Sequence, residues 1–153
     1  MLPNRINVDV IRDRIGAYSD PNVSMDERYR IYDELIGFVP PRIEARVAVT
    51  GALDPKIVDL QEQIREHGMY PKSFDVKTAQ LMLFGMLLIT LSDAAVLHGI
   101  AARRAGATWE ELQDVVNLCF LFRGLSAANR GAEIIANIAQ HEASKETKKE
   151  DQP

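Results

Sequence analysis

The sequence predicts an all-α fold. Three observations carry this: no segment alternates apolar and polar residues over the length of a strand, apolar residues recur at three- and four-residue spacing, and helix start and stop signals punctuate the chain. With 153 residues, 46% hydrophobic and 26% charged, the chain is long enough for one domain with its own core. We place that domain over residues 1–142. The stretch 143–153 is rich in Lys and Glu without an apolar stripe and reads as a disordered tail.

Val8, Ile11 and Ile15, with Tyr18 at its limit, share one face of a first short helix, which Ser19-Asp20-Pro21-Asn22 breaks. Ser24 followed by Glu27 is a capping-box pair that starts a second helix from about Met25 to Ile36, with Gly37 as its stop. Pro40 and Pro41 suit the entry to a third helix with Ile43, Val47 and Thr50 on its inner side. Asp54-Pro55 begins a fourth, on which Ile57, Leu60 and Ile64 form the expected buried face, ending near Gly68. A loop follows to Ser73. Asp75 or Ser73 then caps a helix so apolar from Leu81 to Ile89 that it is expected to be covered on every side, in a bundle or at a subunit interface. Thr90 to Asp93 breaks it. Ser92 is the expected cap of the next helix, which ends at Gly106 with Arg103 and Arg104 in its last turn, where cations are favoured. Thr108 and Glu111 form a second capping box, and Gly124 separates that helix from a last one over about Ser126 to Gln140.

Composition excludes several function classes. The formal net charge is -4 and no basic stripe exists, so nucleic acid is not an expected partner. Cys119 is the single cysteine, which rules out an intrachain disulfide and a multi-cysteine zinc site. The residues MLPNRINVDV lack the apolar core of a signal peptide. The longest uncharged run, between Lys77 and Asp93, is shorter than a membrane span and is interrupted by Thr78, Gln80, Thr90 and Ser92. The expectation is a cytoplasmic protein with no membrane partner.

Few residues could carry chemistry. On a helix His98 shares a face with Leu91, Ala94, Ala95, Ala101, Ala102 and Ala105, so a small-residue wall surrounds the ring. A core histidine bonded to a backbone carbonyl and a functional one both fit that pattern. Arg123 follows the apolar run Leu118 to Phe122 and precedes Gly124 and Leu125. It is expected to need an anion, either a substrate carboxylate or a structural Glu such as Glu133 or Glu62. Asn129 and Arg130 could orient a ligand or cap a helix, with the structural role preferred. Tyr70 and Lys72 lie in a loop that could approach a pocket mouth. His67 suits a helix end and His141 a solvent-facing place. No second histidine or carboxylate shares His98's face, so no metal is expected.

His98, the turn AGATWEEL of residues 105–112 and FRGLSAAN of residues 122–129 together resemble the core of the carboxymuconolactone decarboxylase family, which includes the alkyl-hydroperoxidase D group. The resemblance is centred on Phe74 to Asn129. It implies an alkyl-hydroperoxidase D-like helical bundle assembled as a homotrimer or hexamer, with the histidine at the position of His98 lining the active site. It further implies a cofactor-independent lyase acting on a small carboxylated lactone or another product of aromatic ring cleavage. On that activity His98 would donate or relay a proton, and Arg123, with Asn129 and Tyr70, read from this chain's own residues and not from the family, would bind substrate. The family's peroxidase branch carries a pair of cysteines ahead of the histidine, and here Leu91 and Ala94 occupy those positions, so thiol peroxidase chemistry is disfavoured. The chain also departs from the family at Arg123, where a small residue is usual, and at Ser126, where proline is. A non-catalytic assembly or small-ligand-binding role is therefore the alternative.

Overall fold

The structure, a computed structural model, describes residues 5–150. Among these it has eight helices and no strand, so the chain is all-α. The helices are α1 (Val8–Arg14), α2 (Met25–Ile36), α3 (Pro41–Leu53), α4 (Pro55–Met69), α5 (Val76–Ile89), α6 (Ala95–Arg104), α7 (Trp109–Arg123) and α8 (Leu125–Glu150). Where one domain was expected, the chain divides into two compact units, Met1–Ser73 and Phe74–Pro153.

Most helix starts follow local capping chemistry. Ser24 accepts the Glu27 N–H, Asp54 that of Ile57, Asp75 that of Thr78, and Thr108 closes a complete capping box with Glu111. The start of α6 differs from expectation. Its N-cap is Ala94, and Ser92, three residues upstream of the helix, instead accepts the Ala94 N–H at 3.3 Å. The last helix also differs, because α8 runs unbroken to Glu150 through most of the stretch expected to be disordered. Ala, Lys and Glu there are all good helix formers, so propensity continues the helix where no apolar stripe exists. Residues 151–153 of the expected tail lie outside the described residues.

In the first unit α3 packs against α1, α2 and α4. Tyr32, Ile36, Val47, Ala48 and Val58 are buried there together with Arg28, Glu44, Asp59 and Glu62. Gly51 is required by packing, since a Cβ on it would fall 2.2 Å from the Tyr18 ring. The face of α4 is a correction. Ile57, Leu60 and Ile64, expected inside, are exposed, with Ile64 at 74%, while Val58, Asp59 and Glu62 face the core. Ion pairing decides this. Arg28 bonds Asp59 at 3.1 Å and also pairs with Asp20, while Glu62 takes Tyr32 at 2.7 Å, Arg65 at 2.9 Å and Arg46. Buried arginines need their carboxylates, and turning α4 outward would strand them. Burial works against charge on Glu62, but its Arg46, Tyr32 and Arg65 donors prevail and hold the carboxyl below the usual range.

In the second unit α5 packs on α6, α7 and α8, and α8 also packs on α6 and α7. Phe84, Leu88, Leu112, Val116, Ile134 and Ile138 are sealed in its core, each worth roughly 1.5–3 kcal/mol of burial. α6 approaches α8 closely through Gly99, where a Cβ would meet Ile138 Cδ1 at 2.6 Å. Arg103 lies 3.8 Å over the Trp109 ring and bonds Glu142 at 3.0 and 3.1 Å, joining α6, α7 and α8. Within one chain α5 is not covered on every side, because Met82, Met86 and Ile89 remain exposed, so the chain's own bundle does not supply the full cover and only a subunit interface would.

Candidate functional site

Among the described residues of the second unit, the side-chain pair with the character of a chemical site is Gln80 with His98. α5 carries Gln80, Phe84 and Leu88 at four-residue spacing on its inner face, and all three are fully buried. α6 carries His98 on the alanine face read from the sequence, with Ala95, Ala101 and Ala102 buried around it. Packing of α5 on α6 brings Gln80 Oε1 to 2.8 Å from His98 Nδ1. A buried amide is costly unless hydrogen-bonded, so this contact is what makes Gln80 tolerable inside an apolar helix.

The pairing sets the chemistry of the ring. With the amide oxygen as acceptor, Nδ1 carries the proton and donates it, which leaves Nε2 as a bare lone pair. Nε2 has no partner among the described residues and is not sealed from solvent. Burial of the ring pushes its pKa down to about 4, so the imidazole is neutral at pH 7. The Nε2 amide group of Gln80 is buried with no acceptor. The sequence reading missed Gln80, counting it only as an interruption of an apolar run. Its four-residue register with Phe84 and Leu88 was the available signal.

The other expected site residues are not joined to this pair by any hydrogen bond or ion pair among the described residues. Arg123 ends α7, exposed to solvent, and forms no ion pair among the described residues. Its two expected structural partners are engaged elsewhere: Glu133 with Arg130 at 2.6 Å, and Glu62 with Arg46 and Arg65. The reason is that the neighbours Phe120, Leu121, Phe122 and Leu125 are themselves exposed, so the guanidinium reaches water and needs no anion. Asn129 is exposed on α8. Arg130 bonds Asp93 at 2.5 Å and Glu133 at 2.6 Å, side-chain ion pairs in place of the helix cap expected of it. Tyr70 follows α4 in the first unit, 39% exposed, with burial raising its phenol pKa. Cys119 is buried, donates to the Gly85 carbonyl at 3.4 Å, and has its thiol pKa raised by burial. Among the described residues no three His, Cys, Asp or Glu side chains gather as a metal site would require, and no helix is long and apolar enough to cross a membrane.

No protein-family model matches this chain, and neither a curated protein nor a solved structure matches it.

Proposed function

We propose that the chain is a carboxymuconolactone decarboxylase-like protein: a cofactor-independent lyase, assembled as a homotrimer or hexamer, acting on a small carboxylated lactone or related ring-cleavage acid. The observation that supports this reading is the half-buried His98, held by Gln80 at 2.8 Å with its Nε2 free, where the resemblance places an active-site histidine. Loss of carbon dioxide breaks a carbon–carbon bond and leaves the electron pair as an enolate, which then needs a proton on carbon. A neutral imidazole with a bare Nε2 takes up a proton as an anionic substrate binds, because the substrate's negative charge raises the ring's pKa. It then returns that proton to the carbon that carbon dioxide has left. The Gln80 oxygen accepts from Nδ1 in both the neutral and the charged ring, so the relay needs no rearrangement.

The second reading is a non-catalytic assembly or small-ligand-binding protein, favoured by Arg123, which faces solvent and not the histidine's partner. A thiol peroxidase is disfavoured, since the single cysteine is buried and holds its proton. The deciding experiment is His98→Gln, assayed for turnover of a panel of small carboxylated lactones and for melting temperature. The lyase reading expects turnover to fall about 10²–10⁴-fold with melting nearly unchanged. Lost stability with unchanged activity per folded molecule, or a native chain inert on the whole panel, would sink it in favour of the second reading.

A further inference from the structure

α5 and α7 run side by side in the same direction. Lys77 Nζ meets Glu111 Oε1 at 2.7 Å, and eight residues further along both helices Gly85 O meets Cys119 Sγ at 3.4 Å. The offset of 34 residues is constant, so Met86 and Ile89 lie level with the end of α7. Each helix commits one side to its neighbours in the unit, and Phe120, 44% exposed, lies on the far flank of α7 from Leu118, Leu121 and Phe122. On α5, Phe84 and Leu88 are buried and Gly85 faces α7. On α7, Val116 packs against Gly131 of α8 and Cys119 faces α5. The remaining outer sides carry Met86 and Ile89 from α5, Leu118, Leu121 and Phe122 from α7, and Leu125 at the start of α8. Phe122 is 83% exposed, and Leu121 and Leu125 are 71%. No charged residue interrupts either helix from Lys77 to Asp93 or from Asp114 to Arg123.

We propose that this outer face of α5 and α7 is where a second copy of the chain docks. At roughly 200 Å² per large apolar side chain, the exposed parts of those six residues amount to about 800 Å². That exceeds the roughly 300–600 Å² of the largest apolar patch on a typical monomer, and it equals the share of about 800 Å² that each partner contributes to a stable interface. A charge-free centre with aromatic and Met side chains is the composition of an interface core. A lipid surface fits less well. Glu110 and Asp114 are exposed on the same helix, and the chain carries a net charge of -4, so anionic headgroups would be repelled.

This deepens the self-association within the proposed function and is independent of the lyase chemistry, which turnover reports separately. The test is sedimentation equilibrium of the full chain at 5 and 50 µM, a range set on the order of ordinary micromolar affinities. The variants are Phe122→Asp and Leu121→Asp, with Ile64→Asp on the exposed face of α4 as control. The expected result is a dimer or larger assembly for the native chain and the control. The two face variants, helical by circular dichroism, should associate at least about 30-fold more weakly. If one of them fails to fold, the other decides. A native chain that is monomeric at 50 µM overturns the proposal, as does one that stays monomeric but co-sediments with phosphatidylcholine vesicles. Face variants that assemble as tightly as the native chain overturn it too.

Discussion

Gln80 Oε1 accepts from His98 Nδ1 at 2.8 Å, joining a glutamine on α5 that is wholly shut off from solvent to a histidine on α6 that is only partly so. The inner partner fixes the tautomer of the outer one. In ¹⁵N NMR of the native chain, His98 should show a protonated Nδ1 and an unprotonated Nε2. Gln80→Leu keeps the side chain's bulk and removes the acceptor, so the proton should redistribute toward Nε2, the position favoured in free imidazole. An unchanged tautomer in that variant would show that Gln80 does not hold the ring.

The same burial makes His98 a pH-dependent stability element. Its pKa in the fold, about 4, lies below the ordinary 6.5, so the unfolded chain takes up a proton over a range where the native chain does not. The contribution is therefore complete above pH 6.5 and is lost as pH falls toward 4, where the loss reaches about 3 kcal/mol. Carboxylates held low in the fold, Asp20 and Glu62 among them, add their own losses at the acid end of this window. His98→Gln cannot titrate. Its unfolding free energy should fall less steeply than the native chain's between pH 6.5 and 4, and parallel curves would count against a buried neutral ring.

Helix boundaries were legible because caps are local: Ser24, Asp54, Asp75 and Thr108 each satisfy an N–H within three residues. The alanine face around His98 was legible for the same reason, since one helix turn contains it. What was not legible depended on partners distant in sequence. Periodicity put Ile57, Leu60 and Ile64 inside, but Arg28, thirty-one residues before Asp59, turns α4 the other way. Gln80 looked like a flaw in an apolar helix until a residue 18 positions later supplied its hydrogen bond. The apolar sequence neighbours of Arg123 suggest a need for an anion, but those neighbours are exposed with it.

Arg28 offers a direct test of why α4 faces as it does. Its guanidinium serves Tyr18 at 2.7 Å, Asp59 at 3.1 Å and Asp20, and its side chain is 4% exposed. Arg28→Ala leaves two carboxylates with no buried cation beside them and should cost roughly 3–5 kcal/mol in urea unfolding at pH 7. Burial opposes charge on Asp20, and backbone N–H groups together with Arg28 overcome it, so losing the guanidinium should raise that carboxyl's pKa. The variant's deficit should accordingly shrink as pH falls toward 4 and the Asp20 carboxyl protonates. A deficit under about 1 kcal/mol at pH 7 would show that the cluster is dispensable.

Leu91 holds the turn between the helix of Gln80 and the helix of His98 in an unusual backbone state. Its φ is +56°, the one positive value at a non-glycine residue among the described residues. The hydrogen bonds explain the need. Leu91 N–H donates to Leu88 O and Ser92 N–H to Leu87 O, both at 2.9 Å, which is the double closure of a helix whose next residue is left-handed. Glycine takes that state freely, whereas a leucine pays roughly 1–2 kcal/mol for it. Leu91→Gly should relieve this strain but forfeit a half-buried side chain, worth roughly 1 kcal/mol, and so stay close to native stability. Leu91→Ile is the sharper probe. It conserves carbon count and apolar area while placing a branch at Cβ, where a left-handed backbone tolerates it least. We expect Leu91→Ile to be destabilised by on the order of 1 kcal/mol or more, falling well below both the native chain and Leu91→Gly. Equal melting temperatures for Leu91→Ile and the native chain would mean that Leu91 does not occupy the left-handed region in solution.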